Sequence, residues 1–287
     1  MQKLRKLWYA LVALALISII AYQAYQMMKE DSSGPYFSSN NDLITLSIAD
    51  PEAVLLEGIT AKDKKDGDVT DSILVEKLSG LYDDNKRTVT YVAFDSDNHI
   101  TKMERELQYS DYVSPRFSLS GSLRFRAGET INIDKIIGVK DCIDGDLSNK
   151  VKILMDTTIN NRLPGVYDVV YEVTNSAGDT QKLPVQVEIY ESNRNEIDIN
   201  LKEYLVYSDG KTVNYKNYLK SVKSGNIEYF FEGVVDSEED AISKDRVTVD
   251  AKVNYKMPGV YPVYFYYENW RGSVYTQGTE MMYVVVQ

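Results

Sequence analysis

The chain has 287 residues, of which 44% are hydrophobic and 26% charged, a composition typical of globular domains rather than of disordered chains. At about 100–200 residues per domain, this length predicts two or three domains. The formal net charge is −11, so the chain lacks the basic surface that binds phosphates, and nucleic acid is not an expected partner. One cysteine cannot form an intramolecular disulfide, and with one histidine it cannot build an ordinary His/Cys zinc site.

The first predicted element is a membrane-spanning helix near the N-terminus. Residues 7–28 carry no charge, and at 1.5 Å per residue about 20 apolar residues cross the hydrocarbon core of a bilayer. This run is preceded by Lys3, Arg5 and Lys6 and followed by one lysine, Lys29, and then by Glu30 and Asp31. The positive-inside rule therefore predicts that residues 1–29 are a cytoplasmic stub and signal-anchor embedded in the lipid bilayer, with the rest of the chain outside the cell.

A cleaved signal peptide is the alternative interpretation of the same segment. Cleavage sites prefer small residues at positions −1 and −3. Cutting after Ala24 would place Tyr22 at −3, and cutting after Ala21 would place Ile19 there. Because neither site fits the rule, the sequence favours an anchor that stays attached.

Beyond this helix, the chain repeats itself at a period of about 80 residues. The matching segments are 34–38 with 114–118, 66–68 with 144–146, and 164–167 with 258–261. Internal repetition at such a period predicts an array of similar domains. We therefore divide the outer part into module 1 (residues 30–112), module 2 (113–193) and a divergent module 3 (194–287), which carries an insertion near 225–250.

Each module is predicted to consist of β-strands. In module 2, apolar and polar residues alternate along 167–173 and again along 185–189, the period-2 pattern of a hairpin with one buried face. The corresponding buried positions predicted in module 3 are Val263, Phe265, Tyr267, Met281, Tyr283 and Val285. About seven short strands in a module of this length are typical of a small β-sandwich.

The order of motifs within a module is distinctive. A Pro-x-Phe start precedes a Gly-x-Thr turn at 128–130, an Asp-Gly-Asp segment, a Pro-Gly-x-Tyr-x-Val-x-Tyr-x-Val strand and Asn-x-x-Gly. This order resembles the bacterial immunoglobulin-like (Ig-like) repeat of pesticidal crystal proteins and of Gram-positive surface proteins. The match is strongest for 113–191 and partial for 34–112, and module 3 lacks the Asp-Gly-Asp segment.

That resemblance carries expectations about both fold and role. It implies an all-β fold of tandem Ig-like β-sandwiches behind one N-terminal transmembrane helix. It also implies extracellular display and a spacer or adhesive role, and it implies no catalytic residue.

Four aspartates in the Asp-Gly-Asp loops are weak candidates for calcium ligands: Asp66, Asp68, Asp144 and Asp146. Calcium takes six to eight oxygen ligands, with several carboxylates close together. The same sequence is also typical of a turn in which carboxylates accept hydrogen bonds from backbone N–H groups. Because the spacing lacks the EF-hand register, the sequence favours turns, and we expect no metal or cofactor.

His99 and Cys142 raise the question of a sortase-type transpeptidase, in which a thiol nucleophile lies near a histidine and an arginine. His99 falls in a predicted hairpin turn of module 1, whereas Cys142 falls in a loop of module 2. Asp141 and Asp144 flank Cys142, and acidic neighbours raise the pKa of a thiol instead of activating it. The sequence therefore predicts that the protein is not an enzyme.

Module 3 concentrates the aromatic residues, with 12 of the 23 tyrosines in residues 198–287. Tyr264 and Tyr266 fall on the face opposite the predicted core, and Trp270 falls in the predicted hairpin turn. Exposed aromatic rings pack against sugars or partner proteins, so these three residues are candidate ligand contacts. The alternative is that the insertion near 225–250 folds over this face and buries it.

These observations favour a cell-membrane protein that displays three Ig-like modules for binding or adhesion. The partner is expected to be an envelope protein or a glycan of unknown identity. Two alternatives stay open: a structural spacer or accessory subunit of an envelope assembly without a ligand, and a carbohydrate-binding module in cell-wall or exopolysaccharide work.

Overall fold

The computed structural model describes residues 2–29, 33–154, 158–193, 196–231, 242–271 and 274–287. The chain forms two compact units, Met1–Tyr112 and Val113–Gln287. The predicted fold class is confirmed: tandem β-sandwiches follow one apolar N-terminal helix in the described part of the chain. The division between the units coincides with the predicted start of module 2, and residues 113–287 form a single unit.

Helix α1 spans Gln2–Lys29. Its segment Leu4–Tyr25 has a mean hydropathy of 1.9, and none of it is buried within the protein. The helix is long and apolar enough to cross a membrane, and a signal sequence would have the same properties.

Module 1 contains seven strands in its described residues. They are β1 (Tyr36–Ser39), β2 (Leu43–Leu46), β3 (Ile59–Asp63), β4 (Gly67–Asp68), β5 (Leu74–Leu78), β6 (Lys86–Phe94) and β7 (Ile100–Tyr109). A three-stranded sheet has the order β1-β3-β4, and a four-stranded sheet has the order β2-β7-β6-β5, with β2 parallel to β7. Fully enclosed residues, including Tyr91 and Leu107, form the core between the two sheets.

Module 2 repeats this arrangement over its described residues. Its strands are β8 (Arg116–Leu119), β9 (Arg124–Arg126), β10 (Ile137–Asp141), β11 (Gly145–Asp146), β12 (Lys152–Leu154), β13 (Gly165–Thr174) and β14 (Thr180–Tyr190). The sheets have the orders β11-β10-β8 and β12-β13-β14-β9. The predicted hairpin is confirmed as β13 and β14. Its inward side chains, Tyr171 and Val187 among them, are fully buried, as the alternating pattern requires.

Module 3 has the same architecture with a longer hairpin. Its described strands are β15 (Asp198–Leu201), β16 (Leu205–Ser208), β17 (Leu219–Ser224), β18 (Ile227–Phe230), β19 (Val247–Ala251), β20 (Gly259–Arg271) and β21 (Val274–Val286). The small sheet has the order β15-β17-β18, and the large sheet has the order β16-β21-β20-β19. Trp270 was expected in the turn, but its backbone lies in β20 and pairs with Tyr275. Its side chain lies outside the described part of the structure.

The large sheet of module 3 is buried on both faces, which the alternating pattern did not predict. Val263 pairs with Met282, and because directly paired residues share a face, Met282 is the one that joins Val263 in the core of module 3. The expected partners Met281 and Tyr283 point to the opposite face, where they pack into the core of module 2. The prediction that Tyr283 is buried is correct, but the core that it joins belongs largely to the neighbouring module.

Candidate functional site

Modules 2 and 3 are held together by tyrosines that complete the open edge of the module 2 sandwich. The Tyr283 hydroxyl donates to the carbonyl of Gln186 and accepts from its N–H, both at 2.8 Å. The Tyr207 hydroxyl accepts from the N–H of Phe117, also at 2.8 Å. These backbone groups lie at strand edges, where they would otherwise need water. Burial raises the pKa of both hydroxyls, so they stay protonated at neutral pH.

The predicted aromatic contact residues lie on the same face of the large sheet. The rings of Tyr264 and Tyr266 are stacked, with centroids 6.3 Å apart and planes inclined by 19°. Tyr266 is 37% exposed, whereas Tyr264 is half-buried against the core of module 2. Burial raises the pKa of Tyr264, to which the charge of Glu188 also contributes. Module 2 therefore covers only one end of this face of the large sheet, and at the other end the ring of Tyr266 is partly exposed to solvent.

The insertion was the alternative cover for this face. Its described part turns the other way: Phe231 is buried and Tyr229 half-buried in the inner core of module 3, with Phe265. Residues 232–241 lie outside the described residues. Two of the three aromatic side chains in the described part of the insertion thus belong to the sandwich interior, whereas Phe230 is half-buried on the other face of the small sheet, where it pairs with Ser221.

A charged network lies beside the junction. Arg124 of module 2 forms a two-point ion pair with Glu188, at 2.8 and 3.1 Å, and its guanidinium stacks on the ring of Tyr190, 4.5 Å from the centroid. The same side chain donates to the carbonyl of Thr279 in module 3. Although burial lowers the pKa of Arg124, the hydrogen bond and charge of Glu188 outweigh it and raise the pKa overall. Arg124 therefore remains charged and joins the two modules.

Glu280 is the buried acid of this network. It is 9% exposed and accepts hydrogen bonds from the Ser122 hydroxyl, at 2.5 Å, and from the N–H of Met281, at 2.7 Å. Burial raises its pKa from 4.5 to about 7, against the lowering effect of these hydrogen bonds and of Arg124. Glu280 consequently changes its protonation state close to neutral pH.

These groups line a polar cleft of about 460 Å³. The ionisable residues that line it are Arg124, Arg126, Lys220, Lys223, Glu129, Asp198, Glu228 and Glu280, with Tyr190 and Tyr204 beside them. Four basic and four acidic groups line the cleft, so their formal charges balance. It offers donors and acceptors in close succession, which suits a ligand rich in hydroxyl groups.

The candidate calcium residues are tied to their own loops. In module 2 both carboxylate oxygens of Asp144 accept hydrogen bonds from Ser176, at 2.6 Å each, and Asp146 accepts from Ser148. These side-chain hydrogen bonds lower the pKa of Asp144 and Asp146.

The corresponding loop of module 1 is bonded in the same way. Both carboxylate oxygens of Asp66 accept hydrogen bonds from Ser96, and Asp68 accepts from the N–H of Thr70 at 3.0 Å. Carboxylates that accept from nearby backbone and hydroxyl groups in this way are typical of structural turns.

His99 and Cys142 have separate surroundings. His99 lies in the β6–β7 turn, where its Nδ1 is 2.8 Å from Asp95 Oδ2. Cys142 follows β10 and is exposed, and its thiol donates to the carbonyl of Val113 at 3.1 Å. The two residues belong to different units. His99 is thus bonded within its own turn, whereas Cys142 is bonded to the segment that precedes β8.

Sequence analysis did not identify the junction residues Arg124, Glu280 and Tyr283 as parts of one site. One signal was available: residues 281–286 form an uninterrupted apolar run, which is typical of a strand covered on both faces. The pairing of Ser122 with Glu280 joins residues 158 positions apart, and no local pattern reports such a contact.

Comparison with known proteins yields distant similarities. No family model matches the chain. Pesticidal crystal protein Cry22Aa of Bacillus thuringiensis is 25% identical over 195 residues, which are 64% of this chain and 26% of that protein. The chain thus spans about a quarter of the length of this relative. The sequence resemblance to crystal-protein repeats therefore finds partial support in one distant relative.

Two solved structures show distant similarity to this chain. The carbohydrate-binding module CBM51-2 of Clostridium perfringens ZmpB, solved with GlcNAc and the INT domains, shares 16% identity at a TM-score of 0.22. The match covers 53% of this chain and 41% of that one. The extracellular domain of protocadherin GammaB4 shares 12% identity at a TM-score of 0.21, with coverages of 88% and 49%. At these scores the likenesses carry no argument about function.

Proposed function

We propose that this protein is a membrane-anchored cell-surface protein that binds an envelope partner through the joined modules 2 and 3. Helix α1 holds the chain in the membrane with residues 1–29 retained and the modules outside the cell. The role is binding and presentation rather than catalysis. The basic residues before the helix and the poor cleavage sites after Ala21 and Ala24 support the anchor.

The observation that carries the binding role is the stacked pair Tyr264–Tyr266. A tyrosine ring that is held in place by packing loses little conformational freedom on binding, which is why aromatic residues dominate the energetic centres of interfaces. Tyr264 is fixed by module 2, and Tyr266 stacks on it while remaining 37% exposed. The pair therefore presents a preorganised aromatic surface.

A glycan is the ligand class that this chemistry favours. Sugars are bound by aromatic rings that stack on their apolar faces and by closely spaced donors and acceptors that reach their hydroxyls. The Tyr264–Tyr266 pair supplies the aromatic rings, and the polar cleft supplies the donors and acceptors. The Arg124–Glu188 ion pair lies between the tyrosine pair and the cleft. Arg124 lines the cleft, and the charges of Arg124 and Glu188 both act on the pKa of Tyr264.

We predict that Tyr266→Ala abolishes binding of the full-length protein to cell-wall glycans on a glycan array and leaves folding intact. Tyr266 is partly exposed, and truncation of an exposed side chain costs within about 0.5 kcal/mol of stability, whereas loss of an aromatic anchor costs at least about 2 kcal/mol of binding. The measurement combines the array signal with the melting temperature.

Tyr36→Ala is the matched control, because Tyr36 is a 60% exposed tyrosine in module 1. It should retain glycan binding. The full-length protein could instead bind no glycan and co-purify with one envelope protein. If Tyr266→Ala abolishes that co-purification, the same surface binds a protein partner. Native binding by Tyr266→Ala would contradict the role of this surface and favour a structural spacer.

A further inference from the structure

Module 1 carries an exposed apolar patch on the outer face of its four-stranded sheet. The patch consists of Leu74, Phe94 and Ile100, which are 55%, 41% and 67% exposed. Phe94 and Ile100 are directly paired across β6 and β7, and Leu74 pairs with the half-buried Val92 on the same face. Four apolar side chains thus lie together at one end of the sheet. Elsewhere the outer face is polar except for Leu43, which pairs with Glu106 on the edge strand β2 and is 40% exposed.

The same positions in module 2 are polar. The register of module 2 pairs Thr174 with Thr180 where module 1 pairs Phe94 with Ile100, and it pairs Lys152 with Glu172 where module 1 pairs Leu74 with Val92. The two threonine hydroxyls are hydrogen-bonded at 2.7 Å. Because the fold builds the same hairpin with polar residues in module 2, the Ig-like architecture does not require apolar residues there.

The patch lies at the end of module 1 that receives the chain from helix α1. Gly34 packs so closely against this end that a β-carbon on it would lie 2.9 Å from Thr101 Oγ1 and 3.2 Å from His99 Cβ. These two residues flank Ile100. Only four residues separate Lys29, the last helical residue, from Gly34, so these two Cα atoms are at most about 18 Å apart at about 3.6 Å per residue.

We propose that the patch docks onto the lipid surface next to which α1 leaves the membrane. The proposal rests on the proposed anchoring of α1. The short connection keeps the patch close to the headgroups, and exposed apolar side chains at such a position enter the interface between headgroups and acyl chains. Two of the basic residues near the patch are paired with acids, Lys102 with Glu76 and Lys65 with Asp97. Docking is therefore apolar, and its strength should not depend on anionic lipid.

The test uses the full-length protein in phosphatidylcholine vesicles whose acyl chains are brominated near the headgroup and quench nearby tryptophan. The sequence has two tryptophans, Trp8 and Trp270, so both are replaced by phenylalanine in each variant and the introduced tryptophan is the one emitter. One variant carries Phe94→Trp on this background. Its matched control carries Thr174→Trp, which places the tryptophan at the equivalent position of module 2. We expect strong quenching and a blue-shifted emission from the tryptophan at position 94, and neither at position 174. Adding Ile100→Asp should remove the quenching at position 94, and equal melting temperatures would show that each variant folds.

The chain with Trp270→Phe alone reports on anchoring in the same vesicles, because its one remaining tryptophan, Trp8, lies near the start of the apolar helix. Quenching of Trp8 together with position 94 supports the proposal. Quenching of Trp8 while position 94 behaves like position 174 would overturn docking and leave the anchor standing. Absence of quenching at Trp8 would overturn the anchor and docking together. A blue shift at position 94 without quenching would mean that protein, not lipid, covers the patch, and would also overturn the proposal.

Discussion

Replacing Tyr283 with alanine is expected to destabilise modules 2 and 3 together by about 3–5 kcal/mol, the usual cost of truncating a buried aromatic residue. Tyr283 is 2% exposed and belongs to β21 of module 3, yet its ring packs into the core of module 2. Its hydroxyl also satisfies the N–H and carbonyl of Gln186. The variant therefore leaves a cavity in one module and unpaired backbone groups at its edge, although the substitution lies in the other.

Hydrogen–deuterium exchange of the full-length protein measures this coupling directly. In Tyr283→Ala, backbone amides of β13 and β14 in module 2 should exchange faster together with those of β20 and β21, while module 1 should be unchanged. Tyr283→Phe is the matched control, because it keeps the ring and loses only the hydrogen bonds, at a cost of about 1–3 kcal/mol. Faster exchange confined to module 3 would contradict the shared core.

Glu280 is expected to make the stability of the same unit depend on pH. Burial raises its pKa in the folded protein from 4.5 to about 7, so the folded state holds the proton more tightly than the unfolded state. Its contribution to stability is complete below pH 4.5, declines as the pH rises towards about 7, and is lost above that. Because one pKa unit corresponds to 1.36 kcal/mol, the loss amounts to about 3 kcal/mol.

The matched variant is Glu280→Gln, which keeps the size of the side chain and an oxygen that accepts from Ser122 and Met281 but cannot ionise. Urea unfolding at pH 5 and pH 8 should show that Glu280→Gln is the more stable protein at pH 8 by up to about 3 kcal/mol. The difference should become much smaller at pH 5. Equal stability of the two proteins at both pH values would show that the ionisation of Glu280 is not coupled to folding.

Sequence patterns predicted the hairpin of module 2 well because each of its strands directs alternate side chains into the core. Alternation along β13 and β14 specified which side chains point inward, and the structure places Tyr171 and Val187 there. The Pro-Gly turn before β20 and the alternation of Val263 and Phe265 predicted the corresponding strand of module 3. Local periodicity is sufficient where a single sheet face is covered.

The candidate site was predicted only in part, because it depends on packing between modules. Tyr264 and Tyr266 were correctly placed on the face opposite the core of module 3, but the contact of Tyr264 with module 2 was not foreseen. Alternation correctly predicted that Met281 and Tyr283 are buried, but it did not predict that they join the core of module 2, since the sheet that contains them is covered on both sides. The Arg124–Glu188 pair and its contact with Thr279 join distant segments, and such contacts follow from tertiary structure alone.

Labelling of Cys142 on intact cells tests most directly whether the modules are anchored outside the cell. Cys142 is exposed and is the one cysteine of the sequence, so a membrane-impermeant maleimide reports the location of module 2. The account predicts that protein extracted from the membranes of intact, labelled cells has an intact mass that includes residues 1–29 and one maleimide, and that Cys142→Ser takes up none. Labelling only after the cells are opened would contradict the orientation, and a mass corresponding to cleavage after Ala21 or Ala24 would contradict the anchor.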